Sequence, residues 1–300
     1  MFTRELNFSI DREDVFAQID CYPDSPLYDE ISEEYEEILE TISNLCEPVL
    51  LMEYGTIDSD LAKEGLIEGT PALMVLSSVG GKISEYATAC FAGGDYLKGM
   101  LADAMADSAL FSLNKEIAYH IKKECGQLKM GVRRRLEAPQ DISMEAQKKV
   151  WEHTKAKERC GILISSGFML DPVKSNAEIY VLTTDQEVFM TQHNCRNCNR
   201  YDCKGRNIPD IPVKVIHGEQ IYHLSVPEKK SIWEIWSEDR SLTITCERDR
   251  PCGNCEILVT EGYLPITDFD KAFFTEEELA LGYRLGCKAF PAEPVTIQLP

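Results

Sequence analysis

The chain has 300 residues, of which 44% are hydrophobic, and its 51 acidic and 31 basic residues give a formal net charge of −20. This length accommodates about two domains of the usual ~150 residues, with ordinary buried cores and no wholesale disorder. The negative charge argues against a nucleic-acid partner, because it would repel phosphate backbones, and it suits a partner with a basic docking face.

The N-terminal stretch "MFTRELNFSIDREDVF" contains no apolar signal region, and no window reaches the ~18 apolar residues of a membrane span. We therefore expect a cytoplasmic protein that does not enter the membrane. In such a compartment the 12 cysteines point to metal or redox chemistry more than to disulfides. Five are scattered singly and are expected to be small buried hydrophobes: Cys21, Cys46, Cys90, Cys125 and Cys160.

The first two thirds of the chain mix helical and strand patterns. Apolar residues at steps of four and three predict a helix over 27–45, and a long Ala-rich pattern predicts another over 95–123. A shorter helix is expected over 143–156, with Asp141 or Ser143 as its N-cap. Gly80 and Gly81 fit a turn before a helix. The predicted strands are "PALMVLSS" (71–78), "GILISS" (161–166), "AEIYVLTT" (177–184) and "EVFMTQ" (187–192).

After the proline-marked stretch "NIPDIPV" the pattern changes to short strands. A hairpin is predicted from "VKVIH" and "QIYHLS", followed by a helix over 229–238 and the strands "LTIT", "CEILVT" and "VTIQL". We therefore divide the chain into a domain over 1–190, a cysteine-bearing junction over 191–210 and a small domain over 211–300.

Four cysteines in the last part have the spacing C-x5-C-x2-C-x31-C: Cys246, Cys252, Cys255 and Cys287. Three thiolates on one loop and a distant fourth are typical of a [2Fe–2S] cluster at the edge of a small sheet. A structural zinc site is the alternative, although zinc frameworks usually pair two C-x2-C loops.

This spacing, the element order and the phrase "EEELALGYRLGCKAFPAEPVTIQLP" resemble the β-grasp [2Fe–2S] ferredoxin module of the reductive activators of corrinoid proteins. The resemblance covers residues 211–300 and implies a β-grasp, ferredoxin-like domain. One departure is the stretch from Glu247 to Pro251, which is Gly-rich in the resembling modules. Because Pro251 has no N–H to offer a sulfur while Arg248 and Arg250 add positive charge, the sequence does not fix the cluster potential.

Two stretches of the first part, "AGGDYLKGMLADAMADSALF" and the region containing "SSGFMLDPVKS", resemble the activation domain of vitamin B12-dependent methionine synthase. The resemblance covers roughly residues 60–190. It implies an α+β domain, with helices on a bent and mostly antiparallel sheet, that caps cobalamin and holds S-adenosylmethionine. Arg135 matches the family's S-adenosylmethionine-binding arginine, but Glu137 to Gln140 replace the Gly-containing turn that follows it. The alternative for Arg133, Arg134 and Arg135 is a solvated basic run after a helix.

Three further cysteines, Cys195, Cys198 and Cys203, are spaced C-x2-C-x4-C in "HNCRNCNRYDCKGRN". Stand-alone relatives of the activation domain carry a similar segment, which favours a [4Fe–4S] cluster over zinc, free thiols or a disulfide. Three cysteines leave one ligand to be found, and His193 and Cys160 are the candidates.

Together these patterns predict an iron–sulfur redox protein that reductively activates a corrinoid methyltransferase. Electrons would pass from a low-potential donor through the [2Fe–2S] and [4Fe–4S] clusters to Co(II) of the partner's cobalamin. Two alternatives stay open: a non-catalytic corrinoid-protein adaptor or redox sensor, and an S-adenosylmethionine-dependent methyl-transfer component.

Overall fold

The computed structural model describes residues 1–64, 66–193, 195, 208–239 and 252–300. Two compact units divide the chain, Met1–Gln186 and Glu187–Pro300. Most of the predicted junction over 191–210 and the predicted strand "LTIT" lie outside the described residues. In the part of the chain that is described, none of the helices combines the length and the apolar character needed to cross a bilayer.

The first unit is built on a five-stranded sheet with the strand order β1-β2-β3-β7-β4, and every neighbouring pair is antiparallel. Its strands are β1 (Phe2–Thr3), β2 (Val49–Thr56), β3 (Pro71–Ser78), β4 (Gly131–Glu137) and β7 (Ser175–Thr183), with a separate hairpin of β5 (Leu163–Ile164) and β6 (Leu170–Asp171). Its helices are α1 (Arg12–Gln18), α2 (Tyr28–Leu45), α3 (Ser59–Ala62), α4 (Lys82–Gly93), α5 (Tyr96–Leu128), α6 (Ala146–Thr154) and α7 (Ala156–Cys160).

Strand β3 lies at the centre of this sheet and is buried from Ala72 to Ser78. Both α5 and α6 contact it. A strand covered by helices must be apolar along its whole length, and this explains the uninterrupted run "ALMVL". The apolar core on the α6 side includes Leu76, Leu136, Val150 and Ile179.

Helix α5 is 33 residues long and begins after Asp95, whose side chain accepts a hydrogen bond from the Lys98 N–H. It ends at Lys129, which adopts the left-handed conformation. Near its start it packs against α4, where Gly99 meets the Phe91 ring. A Cβ at Gly99 would lie within 2.8 Å of three ring carbons, so glycine allows the two helices to approach closely.

The second unit contains a sheet with the order β11-β10-β12-β8-β9. Its elements are β8 (Ile211–His217), β9 (Gln220–Val226), α8 (Ile232–Asp239), β10 (Glu256–Glu261), α9 (Asp268–Phe273), α10 (Glu276–Leu281), β11 (Tyr283–Leu285), a 3₁₀ turn (Gly286–Lys288) and β12 (Val295–Gln298). Strand β12 runs parallel to β8 and antiparallel to β10, whereas the other pairs are antiparallel. A hairpin and a helix followed by a last strand between β8 and β10 make a β-grasp sheet.

The predicted fold class, α+β with a ferredoxin-like second part, is therefore confirmed. Alternation predicted β8 well, since Ile211, Val213 and Val215 face the core while the residues between them are less buried. The helix predicted over 27–45 corresponds to α2, and Gly80 and Gly81 form the predicted turn before α4.

Three local predictions and one alternative were wrong. "EVFMTQ" forms an isolated bridge at Phe189 instead of a strand, and "GILISS" contributes only the two residues of β5. Helix α6 has Glu145 as its N-cap, and Ser143 instead accepts a hydrogen bond from the Ala146 N–H in the turn before it. The alternative of a solvated basic run was wrong because the three arginines lie in strand β4, where Arg133 and Arg135 are buried.

Candidate metal centre

The loop before β10 carries two of the predicted cluster ligands. Cys252 is exposed, whereas Cys255 is only 3% exposed. Between them Gly253 adopts a φ of +79°, and its carbonyl accepts a hydrogen bond from the Glu256 N–H at 3.1 Å. A Cβ at this position would also collide with the Phe273 ring, so the tight turn requires glycine.

Pairing of β10 with β11 brings the distant Cys287 to Cys255. Glu256 and Leu285 are opposite each other in the ladder, so the residues just outside it, Cys255 and Gly286, also meet. The Gly286 N–H donates to the Cys255 carbonyl at 2.7 Å, and the Cys287 N–H donates to the Cys255 Sγ at 3.5 Å. Two thiols that are 32 positions apart in sequence thus become neighbours.

Gly286 permits this close approach. A Cβ there would lie 3.0 Å from the Cys255 carbonyl oxygen and 3.3 Å from Cε3 of Trp233 in α8. Cys255 belongs to a small group of buried residues, and the side chains of Trp233, Phe269 and Tyr283 pack against this group.

The surroundings of Cys255 lower the pKa of its thiol from 9.0 to about 7. A hydrogen bond with the Cys287 side chain is the largest cause; burial opposes it, and backbone N–H groups of the same segment add to the lowering. By contrast, burial raises the pKa of Cys46 to about 12 and of Cys125 to about 11. Because metals bind the thiolate, Cys255 is prepared for metal binding near neutral pH.

These observations test whether the residues fit an iron–sulfur cluster. Two adjacent thiols, a lowered pKa and a backbone N–H directed at sulfur are what such a cluster requires of its protein. Among the described residues no three His, Cys, Asp or Glu side chains converge closely enough to hold a metal. The predicted ligand Cys246 lies outside the described residues. Three of the four predicted ligands are described, and two of them, Cys255 and Cys287, lie together as a cluster requires.

The second predicted group is described only in part. Cys195 is 9% exposed, and its N–H donates to the His193 carbonyl at 3.0 Å. Cys198 and Cys203 lie outside the described residues. Cys160 ends α7 in the first unit, where its thiol donates to the Ala156 carbonyl at 3.1 Å. The assignment of this group and of its fourth ligand stays a prediction.

Arg135 lies in β4 opposite Tyr180 of β7, inside a buried polar network. Its Nη2 contacts Glu178 at 2.6 Å and Glu137 at 2.8 Å, and its Nη1 donates to Asn114 of α5 at 3.0 Å. The Tyr180 hydroxyl donates to the other oxygen of Glu178 at 2.5 Å. Burial is the largest single influence and disfavours the charge on Arg135, but Glu178, Tyr180 and Glu137 together outweigh it and hold the pKa of Arg135 above its ordinary value.

This network bears on the predicted S-adenosylmethionine site. The terminal nitrogens of Arg135 are occupied by Glu137, Glu178 and Asn114, so a ligand carboxylate would have to displace one of them. The sequence did not reveal Glu178 and Tyr180 as partners because they come from a strand more than 40 residues later. S-adenosylmethionine binding at Arg135 stays a prediction.

Comparisons with known proteins were made for the whole chain. No protein-family model matches it. No curated protein matches it either. Solved structures similar to both parts exist, as the sequence resemblances predicted.

The first part resembles the MetH reactivation domain bound to AdoHcy, with 12% identity, a TM-score of 0.42, and coverage of 61% of this chain and 76% of that one. The second part resembles a ferredoxin from Trichomonas vaginalis, with 20% identity, a TM-score of 0.26, and coverage of 29% of this chain and 99% of that one. It also resembles a reductive activator for a corrinoid, iron-sulfur protein, with 23% identity and a TM-score of 0.25. That match covers 29% of this chain and only 14% of the activator. At these TM-scores neither an activity nor a ligand follows from the similarity.

Proposed function

We propose that the chain is an iron–sulfur redox protein that reductively activates a corrinoid-dependent methyltransferase. The observation that carries the redox part is the neighbouring pair Cys255 and Cys287 at the ends of β10 and β11, with the Cys287 N–H donating to the Cys255 sulfur. This arrangement in a β-grasp sheet, together with the C-x5-C-x2-C-x31-C spacing, supports a cluster of the ferredoxin kind.

In this proposal Cys246, Cys252, Cys255 and Cys287 hold a [2Fe–2S] cluster, and Cys195, Cys198 and Cys203 contribute to a [4Fe–4S] cluster. When bound, such clusters supply one-electron transfer. The protein's part is to keep the sulfurs ionised, to donate N–H hydrogen bonds to them and to shield them from water. The lowered pKa of Cys255 and the packing of Trp233 beside it support these roles.

The corrinoid part of the proposal rests on the first unit. Its α+β fold and its two stretches that resemble the methionine synthase activation domain support this part, and "SSGFMLDPVKS" covers the turn of the β5–β6 hairpin, β6 and the first residue of β7. The net charge of −20 further suits a corrinoid protein with a basic docking face.

The test is to mix the dithionite-reduced protein anaerobically with a Co(II) corrinoid protein from the same organism and to follow Co(I) absorbance. We expect Co(I) to form, and one chain to reduce more than one corrinoid when reductant is in excess. A single turnover per chain would favour the adaptor. No Co(I) with any donor would contradict the proposal.

A matched pair of variants controls this experiment. Cys255 and Cys125 are both 3% exposed, but only Cys255 is a predicted ligand. Cys255→Ala should abolish Co(I) formation, while Cys125→Ala should retain it. Equal activity of the two variants would show that the cluster proposed at Cys255 does not carry the electron.

A further inference from the structure

We propose that Asp270 is a positioning residue for the cluster ligand Cys287, and this inference rests on the proposed function. Asp270 does not itself reach the sulfurs. It holds the strand that delivers Cys287 and the N–H donors around Cys255, so the bound cluster's lifetime and potential depend on it.

Asp270 is buried, with 1% of its surface exposed, and both of its carboxylate oxygens accept hydrogen bonds. Oδ2 accepts from the N–H of Thr267 at 2.7 Å and from its hydroxyl at 2.6 Å, which forms the capping box of α9. Oδ1 accepts from the Leu285 N–H in β11 at 2.8 Å. Capping a six-residue helix does not require a bond to a strand 15 positions away.

The bond to Leu285 starts a series of three consecutive backbone donors. The Leu285 N–H is held by Asp270, the Gly286 N–H by the Cys255 carbonyl at 2.7 Å, and the Cys287 N–H by the Cys255 sulfur at 3.5 Å. Because the three donors lie on one short stretch, fixing the first restricts where the third can point. Asp270 therefore acts on the sulfur through the backbone.

The neighbouring Arg284 supports the same stretch. It is 7% exposed, and its guanidinium donates to the carbonyls of Leu264, Leu279 and Tyr283. The positive charge of Arg284 also attracts the negative carboxylate of Asp270, and this attraction offsets part of the cost of burying the carboxylate. Two buried ionic side chains thus fix a strand of only three residues.

A second capping box in the same unit provides a matched control. Glu278 accepts from the N–H and the hydroxyl of Thr275 at 2.8 and 2.9 Å, as Asp270 does from Thr267. Glu278 is only partly buried, and within the described part of the chain its carboxylate bonds to Thr275 alone. Removing the Glu278 side chain therefore removes the cap of α10 but no hydrogen bond to β11.

The test compares wild type, Asp270→Ala, Asp270→Asn and Glu278→Ala as full chains reconstituted anaerobically with iron and sulfide. The readouts are visible circular dichroism, reduction potential and the rate of cluster loss to a chelator. We expect Asp270→Ala to lose the C-terminal cluster about fivefold faster, the factor expected from loss of the hydrogen bond to Leu285, with an altered visible spectrum. Glu278→Ala should match wild type in all three.

Asp270→Asn keeps the inference testable if Asp270→Ala fails to fold. Its side-chain oxygen can still accept from Leu285, so its rate of cluster loss should stay near wild type. Its potential should rise because a buried negative charge near the ligand is removed. An unchanged potential in Asp270→Asn, or equal effects of Asp270→Ala and Glu278→Ala, would overturn the inference. A wild-type chain that binds no cluster would instead refute the proposed function.

Discussion

Cys255 and Cys125 are two equally buried thiols with opposite acid–base behaviour. Cys125 lies on helix α5 and has only burial and the negative charge of Glu124 acting on it, and both raise its pKa. Cys255 has hydrogen-bond donors on Cys287 and Gly286, which outweigh burial. Burial alone therefore does not determine the pKa of a cysteine thiol. Hydrogen-bond donors beside the sulfur can lower the pKa even when the thiol is buried.

At this scale we predict a thiolate titration in the cluster-free, reduced protein. The ultraviolet thiolate absorbance of wild type minus that of Cys255→Ala should rise with a midpoint near pH 7, the pKa to which Cys255 is lowered. The same difference taken with Cys125→Ala should be flat through this range, since the pKa of Cys125 is about 11.

The sign of the linkage follows from the lowered pKa. The folded form of the second unit gains stability from the Cys255 thiolate at high pH and loses it as pH falls through about 7. A difference titration with its midpoint at 9 or above would show that the Cys287 contact does not act on the thiol.

At the scale of elements, helix α5 contains two glycines in opposite surroundings. Gly99 is buried against the Phe91 ring, whereas Gly126 is exposed and has nothing within 4 Å of where a Cβ would lie. The first glycine is a packing requirement. The second weakens the helix because glycine has more backbone freedom to lose on folding.

We predict that Gly126→Ala stabilises the first unit by about 0.5–1 kcal/mol. Gly99→Ala should destabilise it by ~1–3 kcal/mol, because the added methyl group forces α4 away from α5. Chemical unfolding followed by far-ultraviolet circular dichroism measures both. Changes of the same sign in the free energy of unfolding of the two variants would contradict the packing of Gly99 against Phe91.

The helices and strands were predictable where their pattern is local. The apolar spacing of α5 and the alternation of β8 depend on neighbouring residues only, and both were confirmed. Strand β4 was missed because three successive arginines suggest a solvated surface. The partners that allow Arg135 to be buried, Asn114 and Glu178, are distant in sequence.

The same distinction applies to the candidate site. The spacing of the cysteines can be found in the sequence alone, and it predicted that Cys255 and Cys287 are ligands of the same cluster. The roles of Gly286, Trp233 and Asp270 could not be predicted, because each depends on β11 lying beside β10. Long-range contacts of this kind leave no periodic signal in the sequence.

At the scale of the whole molecule, the chain combines two compact units of different character. The first is an antiparallel sheet covered by helices, with a buried ion network in β4 and β7. The second is a β-grasp unit with two adjacent cysteines at the end of its sheet. In the function we propose, the first unit would dock on the corrinoid protein and the second would carry electrons.

An iron and sulfide count of anaerobically purified protein measures whether the chain holds the proposed iron–sulfur clusters. We expect about six irons per chain, two from the [2Fe–2S] site and four from the second site. Cys255→Ala should lower the count by about two while Cys125→Ala leaves it unchanged. A wild-type chain without iron, or a count that does not depend on Cys255, would show that the proposed clusters are absent.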